Sequence, residues 1–388
     1  MNKKLSIALI IITFLISFTS KSFAKINLNS KSAILVEVNS GKILYEDNKD
    51  QVLPQASITK LMTYYILMDF FKENLISQND KVKVYIEPNS IPSDGSQLKL
   101  KNGDELTVKQ LVESMLIVSA NDSAVQLERM YNNEADNDIV KAMNDKAKKL
   151  GMNKTKFINT SGLTEKTNGI RYNYTTAYET ALLSMNLIKD YPNTLKITSQ
   201  KTFTYKGLKF ENTNKLLKIK PEVDGLKTGH TNEAGYCLVS TEDITKTNGN
   251  GKPFRLLAVV LGAKTEEGRI KDSLKLLKYG EENFVNEKVI EKEYKFTLNS
   301  ELYKDGKISG SVKDDVYLIK RKDSYFTKEV KFNEKLPSNI KKEDKIGKVI
   351  IKNSLDNEVY QYDIFADKDY KSISIIKRLL LFLKHLIK

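Results

Sequence analysis

The sequence predicts an α+β fold: an antiparallel sheet with helices on both faces, followed by a small all-β domain and a C-terminal amphipathic helix. Three observations predict it. Runs that alternate apolar and polar residues stand near both ends of the stretch 25–286. Helical apolar periodicity fills the middle of that stretch. From residue 287 onward only short alternating runs separated by polar turns remain, until periodicity returns in the last residues.

Taken in order, residues 1–24 read as a secretory signal. Lys3 and Lys4 supply the charged start, residues 5–18 are nearly all apolar, and Ser22-Phe23-Ala24 offers small residues for cleavage before Lys25. The apolar run is shorter than the ~20 residues a spanning helix needs. Residues 33–46 alternate around Asn39-Ser40-Gly41, a β-hairpin pattern. Helical periodicity follows over 57–71, 107–118, 122–131, 135–150 and 175–188. Strands are expected at 201–205, 223–229, 235–240 and 255–262, with a closing helix over 267–284.

In the β-rich domain, over 287–370, strands are expected at 289–298, 316–320, 329–332, 348–351 and 358–364. It concentrates no chemistry, and a spacer or partner-binding role is the default. Over 371–388 a helix would gather Ile373, Ile376, Leu379, Leu380, Phe382, Leu383, Leu386 and Ile387 on one broad face. Lys377, Arg378, Lys384, His385 and Lys388 fall on the other. Charges recur throughout, so this helix is expected to lie on an anionic membrane surface instead of crossing it.

Composition narrows the chemistry. At 40% hydrophobic and 29% charged residues the chain can bury a sizeable core. The net charge of +14 comes without any nucleic-acid motif, so it reads first as lysine-rich composition spread over a solvated surface, with attraction to an anionic membrane or wall as the alternative. Only two histidines are present, His230 and His385. A Ser-His-Asp triad and a histidine-rich zinc site both lack parts, and no metal or cofactor is expected. Cys237 is the one cysteine, excludes an intramolecular disulfide, and reads as a small buried residue on a strand.

A serine nucleophile in this chain would need a lysine base, and one motif supplies both. Ser57-Ile58-Thr59-Lys60 places a hydroxyl and an amine on one face, three residues apart, at the start of a helix. Lys60 can serve as base only if burial or a neighbouring cation, for which Lys227 is the candidate, lowers its pKa. Taken alone, Ser57 could equally be a helix cap. Ser119-Ala120-Asn121 lies where one helix breaks and another starts, which can turn short polar side chains into a cleft. Ser119 could relay protons, and Asn121 could hold Lys60 and a substrate amide. Lys227-Thr228-Gly229-His230 follows Val223-Asp224-Gly225-Leu226 on a strand bordering the cleft. Gly229 would admit a substrate backbone, the N–H groups of His230 and Ser57 would form an oxyanion hole, and Lys227 and Thr228 suit a carboxylate.

These three motifs in this order, S-x-x-K, S-x-N and K-T-G, resemble the penicillin-binding proteins of low molecular mass that act as serine D-alanyl-D-alanine carboxypeptidases. The similarity extends to Asn212-Thr213-Asn214-Lys215-Leu216-Leu217, Ala234-Gly235-Tyr236 and Gly262-Ala263-Lys264 leading to Arg269. It covers roughly 25–284. Two departures stand out: Gln55 replaces a common proline, and Tyr172-Asn173-Tyr174-Thr175-Thr176 lacks a histidine common there.

The resemblance implies a penicillin-binding, β-lactamase-like transpeptidase domain over 25–286. It implies Ser57 as the acylated residue and Lys60 as its base, with Ser119, Asn121 and Lys227 completing the proton network. Thr228 and Arg269 would receive the terminal carboxylate of a peptidoglycan stem peptide ending in D-Ala-D-Ala, and β-lactam antibiotics would acylate the same serine. The enzyme would be exported and peripheral to the outer face of the cytoplasmic membrane. Two rival readings stay open. A serine β-lactamase needs a water-activating glutamate, for which Glu128 (with Asn132) and Glu165 are candidates. A non-catalytic wall scaffold would keep the fold and lose the reaction.

Overall fold

The computed structural model describes residues 26–386 apart from 74–75, 87–94, 168, 246–250 and 357. The signal sequence expected over 1–24 and the mature start at Lys25 lie outside the described residues. A hairpin of β1 (Ser32–Glu37) and β2 (Ile43–Asp47) forms one side of a five-stranded antiparallel sheet. The strands β3 (Val223–Thr231), β4 (Gly235–Ile244) and β5 (Phe254–Ala263) complete it. Their order is β2-β1-β5-β4-β3, which leaves β3 at an edge. Ile34 pairs with Val259, Val259 with Val239, and Val239 with Lys227, so one row crosses four strands.

Period-two alternation divides this sheet between two cores. Ile34 and Val36 of β1, with Leu257, Val259 and Leu261 of β5, join the first. Ala33 and Leu35, with Leu256, Ala258 and Val260, join the second. A sheet buried on both sides must be covered by helices on both. The first core is filled by α1 (Lys60–Lys72), α2 (Val108–Ile117), α3 (Asn121–Ala135), α4 (Ile139–Lys149) and α5 (Ala177–Asp190). These contribute Leu61, Leu111, Leu127, Met143 and Leu187, all fully buried. The second is covered by α6 (Glu266–Asn283) through Leu276 and Leu277. Each such side chain stabilises the fold by roughly 1.5–3 kcal/mol. The predicted α+β sandwich is the observed one.

Several boundaries differ for local reasons. Helix α1 begins at Lys60; Ala56–Thr59, which holds Ser57, is a 3₁₀ turn leading into it. The expected helices 122–131 and 135–150 meet elsewhere. Asp136 takes a left-handed conformation (φ 44°) and ends α3 after Ala135. Asp138 then caps α4, its Oδ1 accepting from the Val140 N–H at 2.7 Å and the Lys141 N–H at 3.3 Å. Helix α5 starts after its own cap, the Thr176 hydroxyl, which accepts from the Glu179 N–H. The strand Thr202–Tyr205 gains an unexpected partner, Leu208–Glu211, whose four residues give too short an alternation to recognise.

Beyond α6 the chain is all β until its last helix. Strand β6 (Phe284–Ile290) pairs with β9 (Val316–Arg321). A five-stranded sheet combines β7 (Phe296–Asn299), β8 (Lys307–Ser311), β10 (Phe326–Phe332), β11 (Lys345–Asn353) and β12 (Val359–Ala366) in the order β7-β8-β12-β11-β10. Phe296, Ile308, Leu318, Val349, Ile351 and Ile364 form its separate core. The β1–β2 hairpin reaches this domain through Lys42, whose ammonium donates to Asp356 at 2.9 Å and Glu358 at 2.6 Å. Helix α7 (Ile375–Leu386) closes the described chain. Cys237 is buried on β4, as expected.

Candidate active site

The turn that carries the candidate nucleophile, Ser57, here the nucleophile turn, is built first. With about three residues per turn, a 3₁₀ segment stacks side chains three apart, so Ser57 stands above Lys60 at the head of α1. The Lys60 Nζ lies 2.9 Å from the Ser57 Oγ. It also donates to the Asn121 Oδ1 at 2.7 Å and to the Ser161 carbonyl at 2.6 Å. The Ser57 hydroxyl donates to the same carbonyl at 3.3 Å, so Ser57 is not a helix cap. Lys60 is fully buried, and burial lowers its pKa to about 7 against a weaker opposing pull from Asp122. Burial, and not the Lys227 ammonium, is therefore the main cause of the low value.

The second motif sits at the junction of α2 and α3. Ser119 is held at φ 65°, in the left-handed region that non-glycine residues seldom occupy. This reverses the chain so that α3 starts at once with Asn121, whose N–H donates to the Ser96 carbonyl at 2.8 Å. Asp122 follows, fully buried, and accepts from the Leu98 and Leu100 N–H groups at 3.2 and 3.1 Å. The junction thereby ties Asn121 to Lys60 on one side and the 96–100 segment on the other. Ser119 is itself buried.

The third motif enters along β3. Gly229 lies against the nucleophile turn: a Cβ there would stand 2.9 Å from the Gln55 carbonyl oxygen and 3.1 Å from the Ser57 nitrogen. That approach brings the backbone of Gly229-His230 beside the Ser57 N–H. Lys227 is buried, donates to the Thr228 carbonyl at 2.9 Å, and has its pKa pushed well below the usual lysine range by burial, then by the Lys60 and Arg269 charges. The Thr228 hydroxyl donates to the Thr213 hydroxyl at 2.7 Å. His230 is exposed and stacks on Tyr236 with ring centroids 4.0 Å apart.

Arg269 is 6% exposed, which excludes a plain surface charge. Its Nη1 donates to the Gly229 carbonyl at 3.1 Å and the Cys237 carbonyl at 3.4 Å, and Nη2 to Glu266 at 3.2 Å. The guanidinium therefore braces β3 from the head of α6.

Several contributors were missed by reading motifs. Ser161 acts through its carbonyl, a group that no side-chain pattern reveals; Gly162 beside it was the available signal. Asn173, in the segment that lacks a family histidine, donates to the Thr59 hydroxyl at 2.8 Å and the Asn159 carbonyl at 2.9 Å. It also accepts from the Ile158 N–H at 2.7 Å, so it fastens the 158–161 strip to the nucleophile turn. Glu266 holds Arg269 and accepts from Lys215 at 2.6 Å.

The candidate β-lactamase glutamates are occupied elsewhere. Glu128 accepts from the Thr160 hydroxyl at 2.5 Å, Glu165 pairs with Arg171, and the Asn132 Oδ1 accepts from the Ile139 N–H at 2.9 Å, tying α3 to the start of α4. Among the described residues, no group of three or more His, Cys, Asp or Glu is placed to hold a metal ion.

Comparison with known proteins identifies the family. Residues 19–265 match the family described as D-alanyl-D-alanine carboxypeptidase, and 284–372 match the C-terminal domain of penicillin-binding protein 5. The chain is 31% identical over 394 residues to D-alanyl-D-alanine carboxypeptidase DacF of Bacillus subtilis, covering 96% of each. It resembles the crystal structure of penicillin-binding protein 5 from Haemophilus influenzae with a TM-score of 0.71 and 28% identity, over 90% of this chain and all of that one. Penicillin-binding protein D2 of Listeria monocytogenes, in its cefotaxime-bound form, gives 0.58 and 36% identity over 66% of this chain and 99% of that one. The chain belongs to the D-alanyl-D-alanine carboxypeptidase family.

Proposed function

We propose that this serine-type carboxypeptidase removes the terminal D-alanine of peptidoglycan stem pentapeptides through an acyl-enzyme on Ser57. One observation carries the reading: a buried lysine amine of pKa about 7 stands 2.9 Å from a serine hydroxyl. Once neutral, the Lys60 amine keeps two N–H donors, which the Asn121 and Ser161 carbonyls accept. Its lone pair is then left for the Ser57 hydroxyl, which turns from the Ser161 carbonyl toward it.

Ser57 attacks the penultimate D-Ala carbonyl as Lys60 takes the proton. The N–H groups of Ser57 and His230 stabilise the oxyanion in this reading. Ser119, buried at the junction of α2 and α3, delivers the proton taken by Lys60 to the leaving amine in this reading, and D-alanine departs with its carboxylate on Thr228, beside Lys227 and Arg269. Water then attacks the acyl-enzyme, with Lys60 again the base, and frees Ser57. β-Lactams acylate the same serine because their strained amide imitates the D-Ala-D-Ala bond. No step calls for a metal or organic cofactor.

In the same reading the reaction belongs to 25–286, while 287–370 positions it above the membrane. The protein is exported and works on the outer face of the cytoplasmic membrane. Among the described residues no helix is long and apolar enough to cross a membrane. Helix α7 instead exposes Ile375, Ile376, Leu379, Leu380 and Leu383, which supports docking on the surface.

Ser57→Ala tests the reaction. The variant should release no D-alanine from diacetyl-Lys-D-Ala-D-Ala and take no covalent label from fluorescent penicillin. Retention of either activity sinks the assignment.

A further inference from the structure

The proposed reaction sets a direction along β3, and the following inference rests on it. With the terminal carboxylate at Thr228 and the scissile carbonyl at the N–H groups of Ser57 and His230, the acyl half of a bound peptide continues past His230. It runs toward the turn that joins β3 to β4, where Glu233 stands. This turn is braced by the Thr231 hydroxyl, which accepts from the Ala234 N–H at 3.1 Å.

The facing segment starts at Ser161, whose carbonyl holds Ser57 and Lys60. It passes Gly162 and reaches Thr164, whose hydroxyl donates to the Glu233 Oε2 at 2.7 Å. One hydrogen bond thus joins the segment that orders the nucleophile to the turn that ends β3. Glu233 is half-buried, and the Thr164 bond holds its carboxyl below the usual pKa range. A carboxylate accepts about four hydrogen bonds. Thr164, Thr231 and the residue's own backbone leave room for a further donor.

We propose that Glu233, steadied by Thr164, forms the subsite for a side-chain ammonium on the residue preceding D-Ala-D-Ala, so that the enzyme prefers stem peptides with a free amine at that third position. A residue advances ~3.4 Å along a strand, and the four-carbon arm of a lysine-type residue extends further toward the turn. The acylation chemistry does not use Glu233, whereas a diamino acid in the stem peptide supplies the complementary charge. Exposed Lys166 also acts on Glu233 and would compete for it.

The test compares D-alanine release by the full chain from Nα-acetyl-Lys-D-Ala-D-Ala, with its free side-chain amine, and from the diacetylated peptide. A half-exposed ion pair predicts a preference of about fivefold in kcat/KM for the free amine. Glu233→Gln should bring the ratio to about one, Glu233→Lys should invert it, and Lys166→Ala should raise it. Penicillin labelling of Ser57 reports that each variant is folded. A ratio near one in the unaltered enzyme, or a preference that survives Glu233→Gln in labelled protein, overturns the subsite alone. Release from neither peptide overturns the carboxypeptidase reading, and the subsite with it.

Discussion

Gly162 packs against Ala56 with no room for a side chain: a Cβ at Gly162 would stand 2.0 Å from the Ala56 carbonyl oxygen and 2.9 Å from the Ser57 nitrogen. Its φ of 83° is also one that side chains disfavour. The atoms in the way belong to the backbone of the nucleophile turn, so relief must come from moving that turn. Gly162→Ala is therefore expected to lower stability by about 1–3 kcal/mol. It should also slow penicillin acylation more than tenfold, because ångström-scale misplacement of reacting atoms costs up to about a hundredfold. Thermal unfolding and the labelling rate, measured together, check both outcomes. Normal acylation would show that the turn tolerates the shift.

The contrast between Ser57 and Ser161 shows what could be read in advance. Ser57 was legible because its chemistry lies in a side chain at a fixed spacing from Lys60, and a 3₁₀ turn preserves the three-residue coincidence that a helix would have provided. Ser161 was not, because it contributes a carbonyl, which every residue has. The same division holds for the fold. Strands β1 and β5 announce themselves through period two, whereas the break between α3 and α4 depends on Asp136 leaving the helical region and Asp138 capping. Both are single-residue events inside one long periodic stretch. Arg269 was legible only by resemblance, since burial of a guanidinium against β3 depends on distant segments meeting.

The Lys60 pKa gives the reaction a pH signature. Its ammonium form cannot take the Ser57 proton, so only the neutral amine is active. With a folded-state pKa of about 7, acylation should rise roughly tenfold per pH unit below 7 and level off above it. The second-order rate of penicillin labelling from pH 5 to 9 tests this. A flat profile would show that the Lys60 protonation state does not limit acylation. Lys60→Arg, whose guanidinium keeps its proton throughout, should lose at least about a hundredfold at every pH.

Asp122 offers a finer test of the same group. It is fully buried, and its negative charge favours the protonated form of Lys60, opposing the burial that lowers the pKa. Removing the charge with Asp122→Asn should lower the Lys60 pKa further and move the acid limb of the acylation profile toward lower pH. The carboxylate also accepts from the Leu98 and Leu100 N–H groups, so the substitution should loosen that segment too. Faster amide hydrogen exchange at Leu98 and Leu100 would register the loosening separately. An acid limb that stays in place would mean that Asp122 acts on the segment alone.

Helix α7 carries the last prediction. Ile375 is 84% exposed and Ile376 is 73% exposed, so the apolar face is not spent on the protein's own β domain. Polar contacts tie this segment to that domain: the Ile373 N–H donates to the Leu302 carbonyl at 3.0 Å, and Arg378 donates to the Ser338 hydroxyl at 3.3 Å. A helix fixed at its start, apolar outward and flanked by Lys377 and Lys384, is suited to lie in a bilayer interface. The full chain should bind vesicles containing anionic lipid and release them as salt rises. Replacing both lysines by glutamine should weaken binding about 30-fold, since each cation near such a surface contributes about 1 kcal/mol. Replacing Ile376, Leu379 and Leu383 by glutamate should abolish co-sedimentation while leaving penicillin labelling in solution intact, because none of the three belongs to the acylation machinery. Equal binding by these variants and the unaltered protein would assign membrane attachment to another part of the chain.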